Sequence, residues 1–562
     1  MALLSAAPEY ELTALTAPWK EQQDEATLCP NDEESMSNNN NENSTALLLA
    51  RSLDSFLEEA YNNATDFSWK YWFVIASLGI ANASDASEIL SLSYILTNES
   101  FEDNILLHSA WRGSLLASTV FFGMLLGGLF VGTLGDIAGR RSVLLTGLWC
   151  NAVAGVVSAA AQDVYQLALL RAVAGIGIGA SIPPLFTLAT ELAPPSKRGF
   201  FITLVASFWM IGAIYVAVVA LLTMGIWSLS WRVFAIACAV PTTLGAILVG
   251  NLVPESPRFL ALGNRQEEAL VVINNLGRQM KFDGPLMTRE EIEELYPPTI
   301  TNTGPDRTGS CACSWRDLPW TAMYEIFQRD QLRTTLSLQA IWFALSFGSY
   351  GILTWINTLF EEIHLENPYF NAMLFALANL PGNIGSALLV DRIGRRNVLF
   401  GSAMGGALSL LGFAFVTRNQ GSNESSSSHT RHDETVGIVV AACLFQAFVA
   451  MAWNTIDTLS SELFPTTVRS TGMGVCAATG RIGALVAQVV NGSLLGHPVA
   501  LLTIASAFLG VSAVVPFALP GRDMSYQPLV DNIQPTTEDS LYDTVDDDGT
   551  NGVDDDELCT HC

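Results

Sequence analysis

The sequence predicts an all-α membrane protein with twelve transmembrane helices in two six-helix, pseudo-repeated halves. Three observations predict it. Half of the 562 residues are hydrophobic and only 14% are charged, which is unusual for a soluble protein of this size. The apolar residues are gathered into blocks of about twenty, the length that crosses a bilayer as a helix. Finally, two charged loop sequences each occur twice: GDIAGRR (135–141) returns as VDRIGRR (390–396), and ELAPPSKR (191–198) returns as ELFPTTVR (462–469).

The elements follow in order. Residues 1–69 are acidic and Asn-rich, with no basic-then-apolar leader and no small-residue cleavage site, and are expected to form a disordered tail. The first span, 71–96, follows WKYW and contains SDASEIL. The second, 111–133, ends at GDIAGRR, and the third, 142–161, begins just beyond it. The fourth, 165–190, carries Arg171 and the glycines of GIGIG and stops at ELAPPSKR. The fifth and sixth, 200–223 and 232–253, complete a first half (70–253) that closes at PESPR. A long polar connection, 254–333, leads to the seventh span, 334–359, which reads SLQAIWFALSFG. The eighth, 370–390, ends at VDRIGRR. The ninth, 397–416, runs into the polar insertion NQGSNESSSSHTRHDE, and the tenth, 436–460, stops at ELFPTTVR. The eleventh, 471–492, contains GRIGALVAQVV, and the twelfth, 499–519, leaves through LPGRDMS to end the second half (334–520). Residues 521–562 form a second acidic tail that is expected to be disordered. From Asp136 to Glu191 is 55 residues and from Asp391 to Glu462 is 71, and the sixteen-residue insertion accounts for the excess.

The net charge of −27 is mostly a property of the tails, which hold about half of the 54 acidic residues, so no nucleic-acid partner is expected. Basic residues orient the chain. With the N-terminus inside, Arg140, Arg141, Lys197, Arg198, Arg258, Arg392, Arg395, Arg396 and Arg469 fall on the cytoplasmic side, placing both termini there. The sequons at Asn98 and Asn423 then lie outside, which suits glycosylation. Of nine cysteines, Cys311-Ala-Cys313 and Cys559-Thr-His-Cys562 are not joined by a second ligand pair, so no metal and no other cofactor is expected. No G-x-x-x-x-G-K-[ST] loop is present, so neither an ATP-driven engine nor an enzyme is expected.

Carboxylates inside spans are costly, roughly 2.5–3.5 kcal/mol even on insertion scales, and mark function by default. Asp85 and Glu88 project from one helical face and are read as a proton-sharing pair, with Asp85 as the principal coupling group. Arg481 and Asp457 are candidate solute-binding charges, with Trp453, Trp342 and Gln339 as neighbours for a flat organic group. A packing role, an internal Asp457–Arg481 pair and lipid-facing aromatics are the plainer readings. Asp136, Arg140, Arg141, Asp391, Arg392, Arg395 and Arg396 are read as an inner gate, with Glu191, Arg198, Glu462 and Arg469 as partners. The plainer reading of these arginines is topology alone.

Gly132-x-x-x-Asp136-x-x-Gly139-Arg140-Arg141, its counterpart at Asp391, Glu191 with Arg198-Gly199, and Pro254-Glu255-Ser256-Pro257-Arg258 resemble the major facilitator superfamily, over essentially all of 70–520. Ala387 departs from the motif's leading glycine. WKYW followed by DASEIL is similar to the synaptic vesicle protein two group and the niacin and organic-ion carriers. The resemblance implies an alternating-access secondary transporter, a monomer, carrying a small organic ion such as a carboxylated or aromatic metabolite together with protons. It also implies that Arg481 meets a substrate carboxylate. Two alternatives stay open. One is a sugar carrier, against which the lone Gln339 and the missing P-E-T-K-like exit count. The other is a non-transporting vesicle or receptor protein, for which Tyr526-Gln-Pro-Leu529 resembles a sorting signal read by adaptors. The membrane is expected to be the plasma membrane or an intracellular vesicle or vacuole.

Overall fold

Twelve helices of the computed structural model are long and apolar enough to cross a membrane: Trp69–Ile95, Ala110–Val131, Arg140–Ser158, Val164–Glu191, Pro195–Ile226, Trp231–Leu252, Gln331–Glu361, Pro368–Val390, Arg395–Asn419, Thr435–Leu463, Thr471–Ser493 and Pro498–Ala518. The structure describes residues 52–64, 68–131, 134–297, 324, 326–363, 368–422, 428–464 and 469–519. The distal tail 521–562, the sequon at Asn423, the cysteines at 311, 313, 559 and 562, and Tyr526 lie outside the described residues.

Local chemistry shapes the spans. The sixth is interrupted at Ala239 and the eighth at Ala378. In each case a proline follows within three residues, Pro241 and Pro381, and proline neither donates to the preceding turn nor tolerates its carbonyl. The seventh and tenth helices continue past the apolar block, over Arg329–Glu362 and Ser428–Leu463, so the tenth begins inside the polar insertion. A helix satisfies its own backbone, and polar residues can therefore prolong it beyond the membrane.

The internal repeat is visible in the backbone. Gly139 and Gly394, each just before the helix that follows a charged loop, have φ +97° with ψ 141° and φ +92° with ψ 145°. Both loops therefore turn alike, in a region that glycine enters at low cost.

The two halves meet chiefly where the second span packs on the eleventh, with the first against the seventh and the fifth against the eighth. At the end opposite the charged loops this seam is tight. Gly492 lies so close to Ser114 that no β-carbon would fit, and a β-carbon on Gly113 would sit 3.1 Å from the Trp355 ring.

Beyond the spans, the charged-loop end of the first half carries added structure. Leu53–Asn62 is a helix, whereas the sequence reading left everything up to residue 69 without structure. Its spacing explains it: Leu53, Phe56, Leu57 and Ala60 recur on one face and are buried. They pack with Ile273 and Leu276 of Gln266–Gln279, a helix of the central connection, and Phe56 meets Phe282 edge-on at 5.7 Å.

Candidate functional site

Three charged side chains converge on the seam between the halves. Asp85 comes from the first span, which small residues allow to pack closely: Gly212 of the fifth span is pressed onto Ala83, and Gly245 of the sixth onto Ala81. Asp85 is only 2% exposed, and neither carboxylate oxygen has a hydrogen-bond partner. The adjacent Ser84 hydroxyl is committed to the Ala81 carbonyl at 2.6 Å. Arg481, midway along the eleventh span, is within electrostatic reach of both Asp85 and Asp457. No Arg481 nitrogen comes within 4.0 Å of a carboxylate oxygen among the described residues. The internal Asp457–Arg481 ion pair is therefore not formed. Asp457 itself keeps solvent-accessible surface, and Arg481 is half-buried.

Aromatic side chains wall this trio. The Arg481 guanidinium lies 5.6 Å from the centre of the Tyr350 ring. Tyr350 in turn meets Phe121 at 5.3 Å and Trp453 at 5.6 Å, and Trp453 meets Trp342 at 5.4 Å. Hydrogen bonds hold the indoles in place: Trp342 Nε1 donates to Ser460 Oγ at 2.9 Å and Trp453 Nε1 to Ser349 Oγ at 3.1 Å. Gln339 is half-buried one turn before Trp342. The structure thus brings Arg481, Asp457, Trp453 and Trp342 into one neighbourhood, and adds Phe121, which nothing in its own stretch marks out. Sequence reasoning also missed an amide row: Asn454 Nδ2 donates to Asn383 Oδ1 at 2.9 Å and to Ser386 Oγ at 2.8 Å. Asparagines inside the eighth and tenth spans were the available signal.

Glu88, read with Asp85 as a pair, is placed against Arg171 instead. Its Oε1 accepts from Arg171 Nη1 at 2.7 Å, and the same nitrogen reaches the Glu88 carbonyl and Ser91 Oγ, each at 3.2 Å. Both side chains are 4% exposed. The Glu88 carboxylate thus has a cation of its own from the fourth span, a partner that Asp85 lacks. Arg171 was legible as a cation inside an apolar block, but its partner lies 83 residues away in sequence.

The loop motifs build one latch in each half. Arg140 Nε lies 3.7 Å from Glu191 Oε2, and its guanidinium sits over the Phe259 ring at 4.8 Å. The Arg141 backbone N–H donates to Glu255 Oε1 at 3.0 Å. In the second half, Arg395 donates to Glu462 through Nε and Nη2 at 3.1–3.2 Å. Both pairs tie neighbouring helix ends within one half. Arg198 is directed elsewhere, to the Thr190 carbonyl at 3.0 Å and to Asp54 Oδ1 of the N-terminal helix at 3.1 Å, and Arg258 joins the same Asp54 carboxylate. Arg392 is exposed, and Arg396 is half-buried and engaged. The side chains of Asp136, Asp391 and Arg469 lie outside the described residues.

Comparison with known proteins gives a consistent picture. A family model described as sugar (and other) transporter matches residues 55–515. Synaptic vesicle glycoprotein 2A of Rattus norvegicus is 26% identical, over 84% of this chain and 79% of that protein. Synaptic vesicle glycoprotein 2C of the same organism is also 26% identical, over 81% of this chain and 78% of its own. Among solved structures, a partially occluded inward-open conformation of the xylose transporter XylE from E. coli has the same fold, with TM-score 0.58 at 16% identity, over 80% of this chain and 97% of that one.

Proposed function

This chain belongs to the sugar (and other) transporter family of the major facilitator superfamily, and from that premise we propose that it moves a small organic ion across its membrane together with protons. The observation that carries this reading is the uncommitted trio: Asp85 and Asp457 each feel the charge of Arg481, the three make no ion pair, and Arg481 stands against Tyr350, which meets Trp453. Uncommitted charges inside a membrane span are expensive, and a passing solute and a proton are what would repay them.

Each group has a part. Arg481 holds a carboxylate through its planar fork, and the aromatic wall takes a flat group. Asp85 carries the proton, because its carboxylate has no donor to keep it charged, while Glu88 and Arg171 fix the first span against the fourth. Alternating access comes from the two halves, 70–253 and 334–520, rocking about the seam, each kept rigid by its own latch. Both termini and the connection 254–333 face the cytoplasm, and the protein acts as a monomer in the plasma membrane or a vesicle membrane. It drives transport from a gradient and catalyses no covalent step.

The amide row of Asn383 and Asn454 favours a second reading, a hydroxylated solute such as a sugar. Uptake by purified protein in lipid vesicles, using labelled aromatic acids, cations and sugars with and without a pH gradient, separates the two. Arg481→Lys should weaken carboxylated solutes about tenfold or more and neutral analogues far less. Equal loss for both would remove Arg481 from binding.

A further inference from the structure

Among the described residues, Arg481 donates no hydrogen bond, and Asp457 and Asp85 accept none. This is a demanding combination. Arg481 has five N–H donors and Asp457 has two acceptor oxygens, both facing space that water reaches, yet they stand too far apart to satisfy each other. An organic anion would satisfy Arg481 and be repelled by Asp457. An organic cation would do the reverse. A sugar would leave both charges without a counter-ion in a low-dielectric site.

We infer that the transported solute is an aromatic zwitterion, a small compound whose carboxylate takes Arg481, whose ammonium takes Asp457, and whose ring lies against Tyr350 and Trp453. The inference rests on the transport reading above and narrows it to a substrate class. The charge balance supports it. Asp85 with its proton is neutral, Arg481 and Asp457 cancel, and a zwitterion leaves the loaded site with no net charge, which suits passage through the middle of a bilayer. The aromatic geometry agrees: Trp453 is inclined at 57° to Tyr350 and at 75° to Trp342, so the rings offer both faces and edges to a flat guest. The Tyr350 ring already has the Arg481 cation near it, and such ring faces also attract an ammonium.

A matched set of probes tests this: phenylalanine and tryptophan as zwitterions, phenethylamine and tryptamine as the corresponding amines, 3-phenylpropionate and indole-3-propionate as the acids, and xylose. Binding to the purified, detergent-folded protein is measured by calorimetry, and uptake is measured in vesicles. At least one zwitterion should bind about tenfold or more tighter than its own amine and its own acid. Arg481→Gln should erase the advantage over the amine while keeping that over the acid, and Asp457→Asn should do the opposite. This crossed pattern is one that a merely misfolded variant would not produce, and thermal melting of each variant confirms its fold. If an acid or an amine matches its zwitterion in the parent protein, the zwitterion is wrong while an organic-ion carrier stands. If xylose alone is bound and taken up, both readings fall in favour of the sugar. If no probe binds the folded protein, the zwitterion assignment is overturned, and failure of the wider panel of acids and cations as well would overturn the transport reading.

Discussion

Asp85 and Glu88 sit three residues apart in one helix, yet their surroundings give them opposite characters. Glu88 is clamped by Arg171, whereas Asp85 has no donor at all. Glu88→Gln leaves the Arg171 cation buried without its counter-charge, a change worth about 3–5 kcal/mol, so the melting temperature should fall sharply. Asp85→Asn removes a buried carboxyl that no donor satisfies, so melting should stay level or rise. The same variant should lose accumulation driven by a pH gradient while keeping solute exchange, which needs no net proton movement. Accumulation by Asp85→Asn equal to the parent's would end the proposal that this carboxylate carries the proton. At this scale the sequence exposed every charge inside a span, because an ionised group among apolar residues is conspicuous. It could not say which of them were neutralised, since that depends on contacts such as Glu88 to Arg171 that only folding creates.

Span positions were legible to within a few residues, because hydropathy and bilayer thickness act along the chain. The N-terminal helix was not read, although Leu53, Phe56, Leu57 and Ala60 carry its pattern, because a strongly polar flank masked a ten-residue amphipathic segment. Its attachment is electrostatic as well as apolar. The Ser196 hydroxyl and N–H both donate to Glu58, the latter at 3.0 Å, and hold that carboxyl below its usual range. A group lowered on folding adds stability above its ordinary pKa and loses it as pH falls through the lowered value. The tie should therefore be intact at neutral pH and weaken below about pH 4. The protection factors of amides within 53–62, after correction for the intrinsic exchange rate, should fall on acidification in the parent and respond much less in Glu58→Gln. An identical response in both would assign the helix's attachment to its apolar face alone.

The latches act inside the halves, and this sets the expectation for the molecule as a whole. Arg395 and Glu462 join helix ends that would move together, so Glu462→Gln should loosen the second half without directly joining or releasing the two halves. Thiol labelling of a cysteine placed at Asn454 should change in Glu462→Gln and return towards the parent when the pair is reversed as Arg395→Glu with Glu462→Arg. Labelling that ignores both variants would reduce the motif to a device of topology. The repeat itself was readable in the sequence, since both loops spell it, but how the halves differ was not. Among the described residues, the three fully buried charges, Asp85, Glu88 and Arg171, all lie in the first half, while Arg481, Asp457 and three of the four rings around them belong to the second. On the proposed function, two copies of one design divide their labour: one would keep the energy source and the other the choice of cargo. Under that proposal, cargo preference would diversify through changes in the second copy while the motor in the first is inherited unaltered.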